Sequence, residues 1–207
     1  STNTGTIPSK ALREAVLYLS GFRQRNLYGA GYRLKETVTI EDLAFRANHI
    51  IKNEIEIVED QMARNRIDLI HGVARFVDPH RLLVQEAGTS TNHFAHVIVI
   101  AVGTEPSRPA DVPFNERTII DTDGLITLKH LPTSIVIVGG GVIGTEYASI
   151  LAMIGVSVIL IDKRPRLLEF VDAQIIDALQ QQMKDIGVTI YHEEEAVAIR
   201  EESDGQV

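Results

Sequence analysis

No cysteine occurs among the 207 residues of the chain. Within this stretch, disulfides, thiolate metal ligands and thiol catalysis are excluded. Tryptophan is also absent, and aromatic residues make up only 5%. There is no excess of positive charge: 28 acidic side chains against 20 basic ones give a formal charge of −8. That balance argues against bulk attraction to nucleic acid or anionic lipid, so neither is expected as a partner; a local cationic pocket for a phosphate is compatible with it. No run approaches the roughly 18 apolar residues of a membrane span, and no membrane partner is expected. No signal-peptide pattern and no initiator methionine open the chain. It begins in loop-like sequence and reads as a piece of a longer protein, expected in the cytoplasm.

What is present suffices for a core. Hydrophobic residues make up 44%, and the length allows one large domain or two small ones. Residues 6–22 read as a helix, with Leu12, Ala15, Val16 and Leu19 at helical spacing and Pro8 in the tolerant first turn. Residues 29–38 read as a loop, after which Thr39 or Glu41 opens a long amphipathic helix. Its stripe is Leu43, Ala47, Ile50, Ile51, Ile55, Val58 and Met62, expected to pack on a core. Strands are expected over 67–73, 75–77, 82–85 and 97–102. The near-continuous apolar run at 97–101 suits a strand covered on both faces. Pro106, Pro109 and Pro113 then break regular structure, and residues 119–121 form one more extended piece.

From Ser134 onward the period is that of βαβαβ. Buried strands are expected at 135–138, 156–161 and 188–191. Helices are expected at 142–154, closed by Gly155, and 172–186, closed by Gly187. A hairpin is expected to start at 196–201 and to turn at Ser203-Asp204-Gly205.

Between the first of these strands and its helix lies Gly139-Gly140-Gly141-Val142-Ile143-Gly144, which matches G-x-G-x-x-G. The first glycine makes the turn, the second admits a pyrophosphate to the backbone, and the third lets helix and strand pack closely. The pyrophosphate then meets free N–H groups and the positive end of the helix dipole. Asp162 ends the next strand, 18 residues after Gly144, where an acid that binds a ribose hydroxyl is expected. The neighbouring Lys163 and Arg164 read either as a solvated turn or as cations for a 2′-phosphate. A site that takes both NAD and NADP would need such a compromise.

The segment Gly5-Thr6-Ile7-Pro8-Ser9-Lys10-Ala11, together with the glycine motif, resembles the FAD-dependent pyridine nucleotide-disulfide oxidoreductases, and among them the soluble pyridine nucleotide transhydrogenases. In dithiol members two cysteines stand five positions apart, the later directly before the Ile-Pro-Ser-Lys run; Thr6 stands at the later site, and Ser1 at the earlier. His71-Gly72-Val73-Ala74-Arg75-Phe76 resembles a family segment whose backbone at Ala74 meets the FAD adenine. Ile100-Ala101-Val102-Gly103-Thr104-Glu105-Pro106 resembles a second family motif near FAD, with Val102 in place of the usual threonine. Residues 120–123 resemble the crossover into the NAD domain.

The resemblance implies an α/β fold of two Rossmann-like dinucleotide-binding domains (the FAD/NAD(P)-binding fold), both incomplete here. Residues 1–128 would be part of an FAD-binding domain and 129–207 the first part of an NAD(P)-binding domain. FAD, NAD and NADP are the implied cofactors, nicotinamide dinucleotides the partners, and a homo-oligomer the state of the full-length protein. Lys10, Glu146 and Thr6 are the implied catalytic residues, with Lys10 and Glu146 paired beside the flavin. Cofactor contacts are implied at Gly5, Thr6, Lys10, Ala74, Ala101, Val102, Gly103, Gly139, Gly140, Gly141, Val142, Ile143, Gly144, Glu146, Asp162, Lys163 and Ala196. The implied activity is hydride transfer between NADPH and NAD through FAD. The alternatives are an NAD(P)H oxidase or diaphorase, and a truncated binding module without activity. No metal is expected: His93-x-x-His96 lacks further ligands nearby, and residues 192–195 read as a solvated acidic run.

Overall fold

The computed structural model describes residues 5–29 and 31–201. It divides into two compact units, Ser1–Lys52 with Pro106–Val207, and Asn53–Glu105. This division follows packing, whereas the expected boundary at 128/129 is a division by cofactor.

Helix α1 (Thr6–Leu19) follows Gly5 and buries Ala11, Leu12, Ala15 and Val16, the apolar positions at helical spacing. It ends earlier than expected, because the backbone turns at Ser20 and Gly21 into a 3₁₀ turn (Phe22–Gln24) and a short helix α2 (Arg25–Tyr28). Helix α3 (Ile40–Arg64) starts at a reciprocal cap. The Thr39 N–H donates to Asp42 at 2.8 Å, and the Asp42 N–H donates to the Thr39 hydroxyl at 3.4 Å. Only Leu43 and Ala47 of its apolar stripe are buried; Ile55 and Val58 are exposed. The expected packing on a core is full at Leu43 and Ala47 and partial at Ile50.

The Asn53–Glu105 unit holds an antiparallel meander of β1 (Val73–Asp78), β2 (Arg81–Glu86) and β3 (Thr89–Phe94). Two expectations fail here. Residues 67–70 and 97–102 are not strands, and Val97, Val99 and Val102 are more than 80% exposed. Apolar composition marks a segment for burial, but a strand also needs a hydrogen-bonded neighbour, and the described residues give 97–102 none. The polar β3 was not among the expected strands; its pairing with β2 across the two-residue turn Ala87-Gly88 makes it a strand without any apolar pattern.

Residues 119–121, expected as an extended piece, form no strand; Asp121 instead caps the short helix α4 (Thr122–Ile126), accepting from the Asp123 and Gly124 N–H groups. The βαβαβ unit then follows as read: β4 (Ser134–Val138), α5 (Val142–Met153), β5 (Ser157–Asp162), α6 (Ala173–Asp185) and β6 (Val188–His192), with parallel pairs in the order β4-β5-β6. Gly155 and Gly187, both left-handed, close the two helices. Val158, Leu160 and Val188 join residues of α1, α3, α5 and α6 in one core. The other sheet face is partly bare: Val136 and Val138 are 53% and 55% exposed, so β4 is covered on one face rather than two. Residues 196–201 form no strand, and the expected turn at 203–205 lies outside the described residues, as does Ser1.

Candidate functional site

The glycine motif joins β4 to α5. Gly139 has φ 113°, a left-handed backbone that turns the chain off the strand, and its N–H donates to the Ile161 carbonyl at 2.8 Å. A side chain at Gly144 would bring its Cβ to 2.0 Å from the Gly139 carbonyl oxygen, so the helix can start this close to the strand only with glycine there. At Gly140 a Cβ would meet Leu167 and Asp162. At Gly141 it would meet nothing within 4 Å, so this residue faces open space.

Gly141 is also the N-cap of α5, and no side chain caps the helix. The first turn carries no acidic residue, and Val142 and Ile143 are exposed. Uncapped N–H groups, the positive helix end and open space beside Gly141 suit an anionic group such as a pyrophosphate. These residues therefore fit a dinucleotide.

Asp162 differs from a carboxylate standing open for a ribose. It is 4% exposed. One oxygen accepts from the Arg164 N–H at 2.8 Å and Arg164 Nε at 2.9 Å; the other accepts from Arg164 Nη2 at 2.6 Å and from the Gly140 N–H. The bound Arg164 side chain, helped by the two backbone N–H groups, outweighs burial and holds the carboxyl down to about 2. Asp162 thereby ties the end of β5 to the glycine turn. Leu167, fully buried, wedges against the same turn. Sequence reading passed over both the Asp162–Arg164 pair and Leu167. The Asp-x-Arg spacing was the available signal for the first.

Helix α1 packs against α5, and this brings Lys10 and Glu146 together. Lys10 Nζ lies 2.6 Å from Glu146 Oε1, with the side chains 54% and 16% exposed. A pair this open contributes at most about 1 kcal/mol, so its value lies in where it puts the charges. Beside it, burial and then the Glu146 and Asp123 charges push the Tyr147 phenol up to about 12, keeping it neutral. Thr6 is exposed at the head of α1, next to Gly5.

The remaining expected contacts are more scattered. Lys163 is exposed and follows β5 directly, while Ala196 is half-buried in irregular chain. In the Asn53–Glu105 unit, Ala74 is exposed on β1, and Ala101, Val102 and Gly103 lie in an exposed irregular segment. His93 bonds the Thr91 hydroxyl at 3.0 Å and His96 stands edge-on to Phe94; among the described residues no group of three or more ligating side chains could hold a metal. No helix among them is long and apolar enough to cross a membrane.

A parallel βαβαβ sheet with an uncapped glycine-rich turn at the head of its first helix is the architecture of the FAD/NAD(P)-binding folds. LpdA from Mycobacterium tuberculosis superposes with a TM-score of 0.86 at 20% identity, over 99% of this chain and 47% of that one. The HOCl-induced flavoprotein disulfide reductase RclA from Escherichia coli does so at 0.77 and 26%, over 98% and 42%. The family described as pyridine nucleotide-disulphide oxidoreductase matches residues 2–207, and the chain belongs to that family. Proteins named soluble pyridine nucleotide transhydrogenase are 48% identical in Mycobacterium tuberculosis, over 99% of the chain, and 36% identical in Colwellia psychrerythraea, over all of it. The chain spans 44% of the length of each of these relatives.

Proposed function

We propose that the full-length protein is a soluble NAD(P) transhydrogenase, with residues 1–128 serving an FAD-binding domain and 129–207 an NAD(P)-binding domain. The observation that carries this reading is the ion pair between Lys10 on α1 and Glu146 on α5. It joins the helix headed by Thr6 to the helix headed by the glycine turn, so one short distance relates the two cofactor-facing segments. The names of the relatives support the same activity.

FAD, when bound, supplies the two-electron carrier that takes hydride from one nicotinamide and returns it to another in a ping-pong sequence. The protein residues hold the partners. Gly139, Gly141 and the first N–H groups of α5 bind the pyrophosphate. Gly140, Val142, Ile143 and Gly144 shape that turn. Glu146 holds the Lys10 ammonium in place and orients the nicotinamide amide, and the ammonium favours negative charge at the flavin edge. Thr6 bars a dithiol route, because a hydroxyl does not ionise to a nucleophile at neutral pH as a thiol does. A second nicotinamide would then be the acceptor this site favours. The role expected for Ala74, Ala101, Val102 and Gly103 is contact to FAD, and for Lys163 and Ala196 contact to the NAD(P) adenosine. The full-length protein acts as a homo-oligomer in the cytoplasm.

The test is the full-length flavoprotein assayed with NADPH and thio-NAD, with oxygen uptake followed in parallel. Rapid thio-NADH formation with parallel-line kinetics is expected. Oxygen uptake that accounts for all NADPH consumed, without thio-NADH, would replace this reading with an oxidase.

A further inference from the structure

We propose that Leu167 is a positioning residue for the nucleotide site: it seats the Gly140–Gly141 backbone so that the N–H groups at the head of α5 face the pyrophosphate before a nucleotide arrives. The inference rests on the reading that the glycine turn binds nicotinamide dinucleotides.

The pattern G-x-G-x-x-G leaves its second position open to any residue. In this chain that position is Gly140, and it is held from two sides. Its N–H donates to the Asp162 carboxylate. A side chain on it would collide with Leu167 Cδ2 and bring its Cβ to 2.6 Å from Asp162 Oδ2. Leu167 therefore lies against the turn where a Cβ would stand. Gly141, one residue on, has nothing within 4 Å of its own Cβ position and is the N-cap of α5. The peptide that joins the two glycines carries the Gly141 N–H, so whatever fixes Gly140 also aims the first donor of the helix.

The loop that delivers Leu167 is strained. Between β5 and the Asp172 cap of α6 the chain passes Pro165, buries Leu167 completely, and then takes a left-handed backbone at Leu168, φ 47°. A left-handed leucine costs about 1 kcal/mol or more. It reverses the chain, and the Val171 N–H closes that turn on the Leu168 carbonyl at 2.8 Å. Glycine would make the same reversal without strain. Leu168 and Val171, however, also pack against the core. The start of the loop is fixed too: the Glu193 N–H donates to the Arg164 carbonyl and the Glu194 N–H to the Asp162 carbonyl, both at 3.3 Å. A loop pinned at its start, packed at its end and strained between acts as a strut, and Leu167 is where it bears on the glycine turn. Such a support favours binding by removing the cost of ordering the turn when the ligand enters. Leu167 is fully buried, so it acts through the turn and not by contact. The turn meets the part that NAD and NADP share, so Leu167 sets affinity for both alike.

The full-length flavoprotein is titrated by calorimetry with ADP-ribose, which carries the pyrophosphate without the nicotinamide, and is assayed with NADPH and thio-NAD. Leu167→Ala should weaken ADP-ribose about tenfold and raise the KM for both nucleotides by a similar factor, with kcat within about twofold. Met183→Ala, also buried in the same core but near the far end of α6, should lower the melting temperature and leave ADP-ribose within about twofold. Gly140→Ala should weaken ADP-ribose by itself, and weaken it less in a Leu167→Ala background, where the methyl has room. If Leu167→Ala does not fold, Leu167→Val takes its place, with a loss of about threefold expected. Unchanged ADP-ribose binding in the Leu167 variant would overturn the proposal. So would an equal loss in Met183→Ala, because packing in general would then be the cause, or a Gly140→Ala loss that is the same with and without Leu167. Wild-type protein that binds neither ADP-ribose nor NAD overturns the dinucleotide reading itself, a result distinct from these.

Discussion

The β4-β5-β6 sheet and the β1-β2-β3 sheet have equal numbers of strands and bury apolar surface very unequally. The parallel sheet carries helices between its strands, and Val158, Leu160 and Val188 disappear into a core with α5 and α6. The antiparallel meander buries only Val84 to that degree, and leaves Val73, Phe76 and Val77 more than half exposed. Its order comes from hydrogen-bond register and two short turns. A crossover helix makes a parallel sheet cover one of its own faces, whereas a meander has no such built-in cover. The candidate site accordingly sits on the self-covered sheet, where the glycine turn, Asp162 and Leu167 are held by packing as well as by bonds.

The largest break in this comparison comes from one methyl group placed in each region. Gly144→Ala would push a Cβ against the Gly139 carbonyl, and a loss of about 3 kcal/mol or more with abolished NAD binding is expected. Gly88→Ala, in the β2–β3 turn with open space around it, should cost only about 1 kcal/mol for its left-handed backbone. Thermal unfolding and NAD titration of the two full-length variants check the contrast; equal losses would deny that the parallel unit is the tightly packed one.

Next in size is a change in rate rather than stability. Lys10→Met should lower transhydrogenation by about a hundredfold, the scale of one lost electrostatic contact to developing charge. It should move stability by less than about 1 kcal/mol, because the pair with Glu146 is open to solvent. Turnover and melting temperature measured together separate the two.

Asp162→Asn should cost about 2 kcal/mol at pH 7, given a folded pKa of about 2 against about 3.9 in the unfolded chain. The folded value is the lower one, so the contribution is complete above about pH 4 and fades as pH falls through about 2. Urea unfolding of both proteins should therefore show a gap at pH 7 that narrows toward pH 2.

The smallest expected effect is a gain in the meander. Ala87 has φ 45° in a two-residue turn followed by Gly88 at 84°, the pair of left-handed residues that suits asparagine then glycine. Ala87→Asn should add roughly 0.5 kcal/mol, read as a rise in melting temperature.

The elements of the parallel unit were legible because their signals are local. Helix-closing Gly155 and Gly187 and the apolar strand cores bounded every piece to within a residue or two. Lys10 and Glu146, 136 residues apart, were paired only by resemblance to a family, for no local pattern relates α1 to α5. The misreadings share a cause. The 97–102 run has the composition of a covered strand, the later turns of α3 have a helical stripe, and β3 has no apolar pattern at all. Each was judged by its own residues, while its outcome depended on which other segment reached it.

By itself, the sequence determined the parallel βαβαβ order, the glycine spacing that lets α5 start hard against β4, and the absence of thiol chemistry from these residues. Backbone geometry and side-chain chemistry within a few positions suffice for those. Only the tertiary structure decided that Asp162 spends its carboxylate on Arg164 and Gly140, that Lys10 meets Glu146, and that the apolar 97–102 run pairs with no strand among the described residues. Burial and the choice of a hydrogen-bond partner depend on segments that meet in space, and spacing along the chain does not encode that meeting.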